Sequence, residues 1–214
     1  MISTKDQEEL FKLIAEYLQK NITCVAIGGT AMMFAHYKNA TKDIDLVFKD
    51  EADRESFIRA IEQLGYREKA IGDVYDENRK AHEGKPRMYT RGDERFDLFV
   101  KNVFGYDLSF DQDRIMLRQD FIGKNEFTLY VPSVEELILL KAITGREKDH
   151  EDIQAILDVE KDVDWQGIVE KAIRQQEKNP WILIDLEETL QRLRKKFFIK
   201  QDVFDSIYKA HGKG

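Results

Sequence analysis

The 214-residue sequence predicts an α+β protein in two parts, a mixed sheet with flanking helices over residues 1–132 and a helical subdomain over residues 133–214. Three observations carry this reading. Short apolar runs of strand character alternate with helix-spaced apolar stripes as far as Val131. Pro132-Ser133 then breaks the pattern, and Ser133 with Glu136 three residues later has the spacing of a capping box. Beyond that point only helical periodicities follow.

Residues 5–18 carry Leu10, Phe11, Leu13, Ile14, Tyr17 and Leu18 on a helical stripe. Residues 23–27 read as a buried strand that Gly28-Gly29 ends, and residues 30–37 as a short helix with Met32, Met33 and Phe34 in the core. Residues 43–48 form the next strand, and a helix from Asp50 or Glu51 to Leu64 buries Phe57, Ile58, Ile61 and Leu64. Residues 65–89, with Gly72, Gly84, Pro86 and many charges, read as an extended segment and a mobile loop ahead of a strand at residues 96–100. Strand-like residues 114–120 and 127–131 flank Gly123-Lys124-Asn125, a turn signal that predicts a hairpin. Helices are then expected over residues 133–143, 149–158, 164–175, 180–197 and 201–211.

Hydrophobic residues make up 42% and charged residues 35% of the chain, the balance of an ordinary soluble protein. No apolar run approaches the roughly 20 residues of a membrane helix, and the first ten residues are acidic, unlike a signal peptide. A cytoplasmic location without membrane attachment is the expectation. Cys24 is the only cysteine, so an internal disulfide is excluded and a buried thiol expected. A net charge of -7 argues against indiscriminate nucleic-acid binding, which depends on neutralising phosphates, although it permits a local basic groove.

The chemistry concentrates in residues 26–48, AIGGTAMMFAHYKNATKDIDLVF. On a strand, Asp43 and Asp45 project to the same side while Ile44 and Leu46 take the other. Asp97 is the charged residue inside the apolar run Phe96-Asp97-Leu98-Phe99-Val100. An ionised carboxylate costs at least several kcal/mol to bury unpaired, so such a residue acquires a cation or a metal as partner. Convergence of all three would make a divalent-metal site. The simpler alternative makes Asp43 and Asp45 the start of an exposed edge strand and pairs Asp97 with Arg95 or Arg91. Gly28-Gly29 ahead of a helix offers backbone N–H groups to a triphosphate, with the Thr30 hydroxyl beside them. The four histidines lack ligand spacing. Two basic stretches with aromatic residues remain: residues 79–95, a candidate contact for an RNA or protein acceptor, and residues 192–198, expected to be the charged end of a helix.

Gly28-Gly29-Thr30, then Asp43-Ile44-Asp45, then Asp97 resemble the signature of the nucleotidyltransferase superfamily that includes DNA polymerase beta. Thr41-Lys42-Asp43-Ile44-Asp45-Leu46, followed by Val131-Pro132-Ser133 and by Lys141, Arg146 and Lys148-Asp149, is similar to small stand-alone bacterial and archaeal nucleotidyltransferases, some of them abortive-infection or toxin-antitoxin components. The resemblance implies a polymerase-beta-like first domain and a Mg²⁺-dependent enzyme. It would move a nucleoside monophosphate from a nucleoside triphosphate to a hydroxyl on a protein, a tRNA or a small molecule. It implies two Mg²⁺ ions, or Mn²⁺ in their place, on Asp43, Asp45 and Asp97, and nucleotide contacts from Gly28, Gly29, Thr30, Lys42, Lys141 and Arg146. A basic residue that precedes the Thr-x-Asp segment in relatives corresponds loosely to Lys38. For Arg146 a local ion pair with Asp149 is an equal competitor. The rival from another class is a catalytically inactive relative that binds nucleotide or a toxin-antitoxin partner.

Overall fold

Period-two segments need paired neighbours and period-3.6 stripes need an apolar face to cover, so the two kinds of segment sort into a sheet and the helices that pack with it or with one another. The computed structural model describes residues 1–69, 84–111 and 114–212, and the chain forms two units, Met1–Ser133 and Val134–Gly214.

In the first unit β1 (Ile2–Ser3) leads into α1 (Thr4–Tyr17), β2 (Ile22–Ala26), α2 (Gly28–Phe34), β3 (Ala40–Thr41), β4 (Asp43–Phe48) and α3 (Glu51–Gln63). Then come β5 (Arg67–Lys69), β6 (Arg87–Arg91), β7 (Glu94–Val100), the small β8 (Asn102–Val103) and β9 (Tyr106–Asp107), and the hairpin of β10 (Ile115–Ile122) and β11 (Glu126–Pro132). The main sheet runs β10-β11-β2-β4-β7-β6-β5, with β8 and β9 beside β7, while β1 and β3 pair separately. β11 is parallel to β2 and β4 is parallel to β7; the other neighbours along this path are antiparallel. The fold is therefore α+β with a mixed sheet, as predicted.

Local chemistry explains the helix ends. Ser3 and Asp6 form a reciprocal capping box at α1, and the Asp50 carboxylate accepts from the Asp53 N–H at the start of α3. α2 is shifted from its expected bounds. It begins at Gly28 and stops before His36, whose φ of 61° cannot continue a right-handed helix.

Phe127 of β11 organises the core. Its ring lies 5.3 Å from Phe11 of α1, 5.4 Å from Phe57 of α3 and 6.0 Å from Phe121 of β10, while Phe57 also meets Phe48 and Phe96 at 5.2 and 5.5 Å. α1 and α3 therefore cover the sheet face that carries Ile44, Phe48 and Phe96. Alternation sends Asp43 and Asp45 to the other face. Cys24 is buried, and its thiol is pushed up by burial and then by the charge of Asp53. Gly123 lets the β10–β11 turn lie against α1: a Cβ there would come within 2.5 Å of the Ala15 and Glu16 backbone. Asn125 closes this junction, its side-chain amide donating to the Leu18 carbonyl at 2.7 Å.

The second unit consists of α4 (Val134–Thr144), α5 (Glu147–Val159), α6 (Trp165–Gln175), α7 (Ile182–Leu193) and α8 (Gln201–Ala210). α4 is buried nearly all round, which suits a helix without a polar face, and it packs with α5, α6 and α7. Among the described residues no helix is long and apolar enough to cross a membrane.

Phe127→Ala is expected to cost about 3–5 kcal/mol, because three neighbouring rings lose a common partner and the site cannot collapse. Urea unfolding followed by circular dichroism measures it; a loss under about 1 kcal/mol would contradict this account of the core.

Candidate active site

The parallel pairing of β4 with β7 brings the three predicted carboxylates together. Asp43 is opposite Arg95 and Asp45 is opposite Asp97, so these four side chains stand on one sheet face, away from α3. β4 lies between β2 and β7. It is an interior strand, and the exposed-edge alternative for Asp43 and Asp45 does not describe this protein. The second half of that alternative is present: one Arg95 guanidinium nitrogen donates to Asp43 Oδ2 at 2.8 Å and to Asp97 Oδ2 at 3.0 Å. Asp97 is 1% exposed, so this contact supplies positive charge where a carboxylate is most expensive to bury. Arg91 is engaged elsewhere, with Glu94 at 2.8 Å, the Leu64 carbonyl at 2.9 Å and the face of Tyr66. The Tyr66 hydroxyl donates to Glu94 at 2.6 Å, and burial followed by that bond pushes its phenol up.

Gly28-Gly29 lies directly against the carboxylate strand. A Cβ on Gly28 would overlap the Asp45 carboxylate, and one on Gly29 would overlap the Thr41 hydroxyl. Gly28 also has a φ of 57°, in the left-handed region that side chains disfavour. Two hydrogen bonds fix the approach: the Ile27 N–H donates to the Asp45 carbonyl at 3.1 Å, and the Asp45 N–H donates to the Thr30 hydroxyl at 3.0 Å. Thr30 is buried, so in this arrangement its hydroxyl braces the turn against β4. Thr41 is buried in β3 and paired with Ile2 of β1, which ties the segment before Asp43 to the N-terminus. Lys42 is exposed.

The donor set suits a hard divalent cation, since it consists of carboxylate oxygens on adjacent strands beside a bare glycine backbone. As the side chains stand, no group of three or more His, Cys, Asp or Glu among the described residues is gathered closely enough to hold a metal ion. One Arg95 guanidinium nitrogen lies between Asp43 and Asp97 in this arrangement.

Lys141 and Arg146 belong to the helical unit and form a polar centre there. Lys141, 4% exposed, meets Asp152 at 2.6 Å and Asp149 at 3.5 Å. Asp149 also accepts from Arg146 at 2.7 Å and from the Thr144 hydroxyl at 2.7 Å. The local Arg146–Asp149 pair foreseen from their spacing is thus present. Burial alone would raise the Asp149 carboxyl, but the Arg146 hydrogen bond and the Lys141 charge together hold it below the usual range. Glu136 is buried and receives Lys171 at 2.8 Å. In the stretch 79–95, residues 79–83 lie outside the described residues, as do residues 70–83 of the extended segment and loop expected over 65–89, His82 among them. Arg87 pairs there with Glu55 and Glu68. In the other basic stretch Arg192 meets Glu147 at 3.1 Å.

The sequence offered Arg95 as a partner for Asp97 but not for Asp43, and it assigned no role to Thr41. Arg95 stands two residues before Asp97, and strand alternation alone would have put the two on one face. Thr41 becomes visible only through the packing of Gly29.

A family model described as "Nucleotidyltransferase of unknown function (DUF6036)" matches residues 6–201. The chain belongs to this nucleotidyltransferase family. The match spans the carboxylate face, the glycine turn and α4 to α7, together with the first residue of α8. No curated protein matches the chain.

Gly28→Ala is expected to destabilise the first unit by about 1–2 kcal/mol through its left-handed backbone alone, with further loss from collision with Asp45; thermal unfolding checks this, and an unchanged midpoint would contradict it. For the helical unit the sign follows from the depressed Asp149 carboxyl. Its contribution is present above the unfolded value, about 3.9, and is lost as pH falls through the lower folded value. Urea midpoints are therefore expected to fall below about pH 4 in the wild type and to flatten there in Asp149→Asn.

Proposed function

We propose that this nucleotidyltransferase is catalytically active and transfers a nucleoside monophosphate from a nucleoside triphosphate to a hydroxyl acceptor, with Mg²⁺ or Mn²⁺ held by Asp43, Asp45 and Asp97. The observation that carries the reading is the β4–β7 register, which sets Asp45 beside Asp97 with Asp43 on the same face and Gly28 directly against Asp45. A scaffold with no chemistry to perform gains nothing from gathering three carboxylates on one face, because each adds repulsion and desolvation.

In such a transfer the acceptor oxygen attacks the α-phosphorus as the bond to the pyrophosphate oxygen breaks, pyrophosphate leaves, and the acceptor proton passes to solvent water. Bound divalent ions supply neutralisation of the phosphate charge and lower the pKa of the acceptor hydroxyl. The chain's own contribution is positional. Asp43, Asp45 and Asp97 fix the oxygen ligands on paired strands, whose geometry varies little. Gly28 and Gly29 let the turn lie directly against Asp45 and Thr41, where any side chain would collide. Thr30 and Thr41 hold that turn and the start of β4 in register. Lys42, exposed beside Asp43, is available to a phosphate oxygen.

The acceptor is proposed at the level of a hydroxyl on a tRNA, a protein or a small molecule. In the toxin version of this activity, growth arrest on expression disappears in Asp43→Ala.

Isothermal titration of the four ribonucleoside triphosphates, each with Mg²⁺, tests the reading in the wild type and in Asp43→Ala/Asp45→Ala. Metal-dependent binding of at least one nucleotide is expected in the wild type, with a loss of tenfold or more, about 1.4 kcal/mol, in the double variant. Binding of no nucleotide by the wild type would sink the enzyme reading and favour the partner-binding scaffold.

A further inference from the structure

The geometry points to Arg95 as an internal counter-cation of the site, one that neutralises Asp43 and Asp97 before a divalent ion arrives and must leave them for that ion to bind. The inference rests on the proposed metal role of the three carboxylates. It goes further by assigning a positioning residue and an order of events.

Four observations lead to it. A single guanidinium nitrogen of Arg95 spans both carboxylates, at 2.8 Å from Asp43 Oδ2 and 3.0 Å from Asp97 Oδ2. Asp97 is almost fully buried, whereas the Arg95 side chain is a quarter exposed. The strand register sets the two bridged carboxylates on neighbouring strands, with Arg95 opposite Asp43 and Asp97 opposite Asp45. With the side chains so arranged, the carboxylates are not gathered as a cation would need them.

Charge explains why this arrangement is favoured. Carboxylates on one sheet face repel each other, and desolvation strengthens the repulsion. A guanidinium bonded to two of them offsets both terms, and charge-assisted hydrogen bonds of this kind are among the stronger ones. A divalent ion bound to Asp43 and Asp97 would bring two positive charges in place of one, beside a guanidinium that repels it. Binding then requires exchange of the cation instead of addition to a ready cage. The partial exposure of Arg95 gives its long side chain somewhere to go, and a displaced guanidinium matches a phosphate in charge and geometry. Occupancy by metal and availability of Arg95 are thereby coupled, and by linkage each favours the other. Asp45, the third proposed metal ligand, provides the control.

The test uses Mn²⁺ alone as probe, without nucleotide, on the full chain, with affinity read by titration calorimetry and by the electron paramagnetic resonance of free Mn²⁺. Arg95→Met removes the charge and retains much of the side-chain length. It is expected to bind Mn²⁺ at least tenfold more tightly than the wild type, and its unfolding midpoint is expected to rise more on Mn²⁺ addition. Arg95→Lys, which retains a charge without the planar fork, is expected to fall between them and serves in its own right if Arg95→Met does not fold. Asp45→Asn is expected to abolish binding. Equal or weaker Mn²⁺ affinity in both Arg95 variants, with binding still abolished by Asp45→Asn, overturns the role of Arg95 and leaves the metal reading standing. Absence of Mn²⁺ binding in the wild type and both variants overturns the two together.

Discussion

The parallel pairing of β4 with β7 is the constraint on which the rest of the first unit depends. It sets Asp45 beside Asp97 and Asp43 beside Arg95, and so creates a charged patch within a sheet whose other face is apolar. Such a patch is tolerable only because each neighbouring element serves it. α1 and α3 bury the opposite face around Phe127, Phe57 and Phe11, which fixes the strands that carry the charges. Interior strands cannot slip by one residue without sending every side chain to the wrong face, so the register is secured by the hydrophobic pattern itself.

The glycine turn is the second dependent part. β2 delivers the chain to Ile27 beside Asp45, and at that point any side chain would meet a carboxylate or the Thr41 hydroxyl. Glycine at two successive positions resolves the steric conflict, and the bond from the Asp45 N–H to Thr30 locks the result. The two-residue β1 matters for a related reason. Its pairing with β3 holds Thr41 and so anchors the segment immediately before Asp43.

The helical unit solves a similar electrostatic problem by different means. Lys141, Asp149, Asp152, Arg146 and Thr144 form one connected set in which buried acids share the buried Lys141 and the exposed Arg146. Pairs of this kind contribute less than their distances suggest, but losing one partner leaves a charge stranded in a poor solvent. The conspicuous lysine of α4 is thus accounted for within its own unit. In the first unit the exposed edge strand β10 carries the opposite-charge pair Arg118 and Asp120 and a register irregularity between Ile115 and Leu117, devices that discourage pairing with other chains.

Much of this was legible in the residues. Strand alternation at Asp43-Ile44-Asp45 and the apolar run around Asp97 marked both site strands, and the stripe at Phe57, Ile58 and Ile61 marked α3. The helix start read at Asp50 or Glu51 and the turn at Gly123-Lys124-Asn125 lie close to the boundaries observed. β6 was missed because Arg87 and Arg91 look like loop residues until Glu55, Glu68 and Glu94 appear as their partners. The expected helix at 180–197 ends earlier, at Leu193, for composition does not reveal where tertiary packing stops. By itself the sequence determined most element types, the change to purely helical periodicity after Pro132 and the carboxylates that alternation places on one side of a strand, since these follow from periodicities and residue chemistry local to each segment. Tertiary structure decided that Arg95 rather than Arg91 serves Asp97, that Thr30 braces β4 and that Lys141 answers to Asp149 and Asp152. Those choices rest on distances between residues far apart in the chain, which only the strand register and the helix packing set.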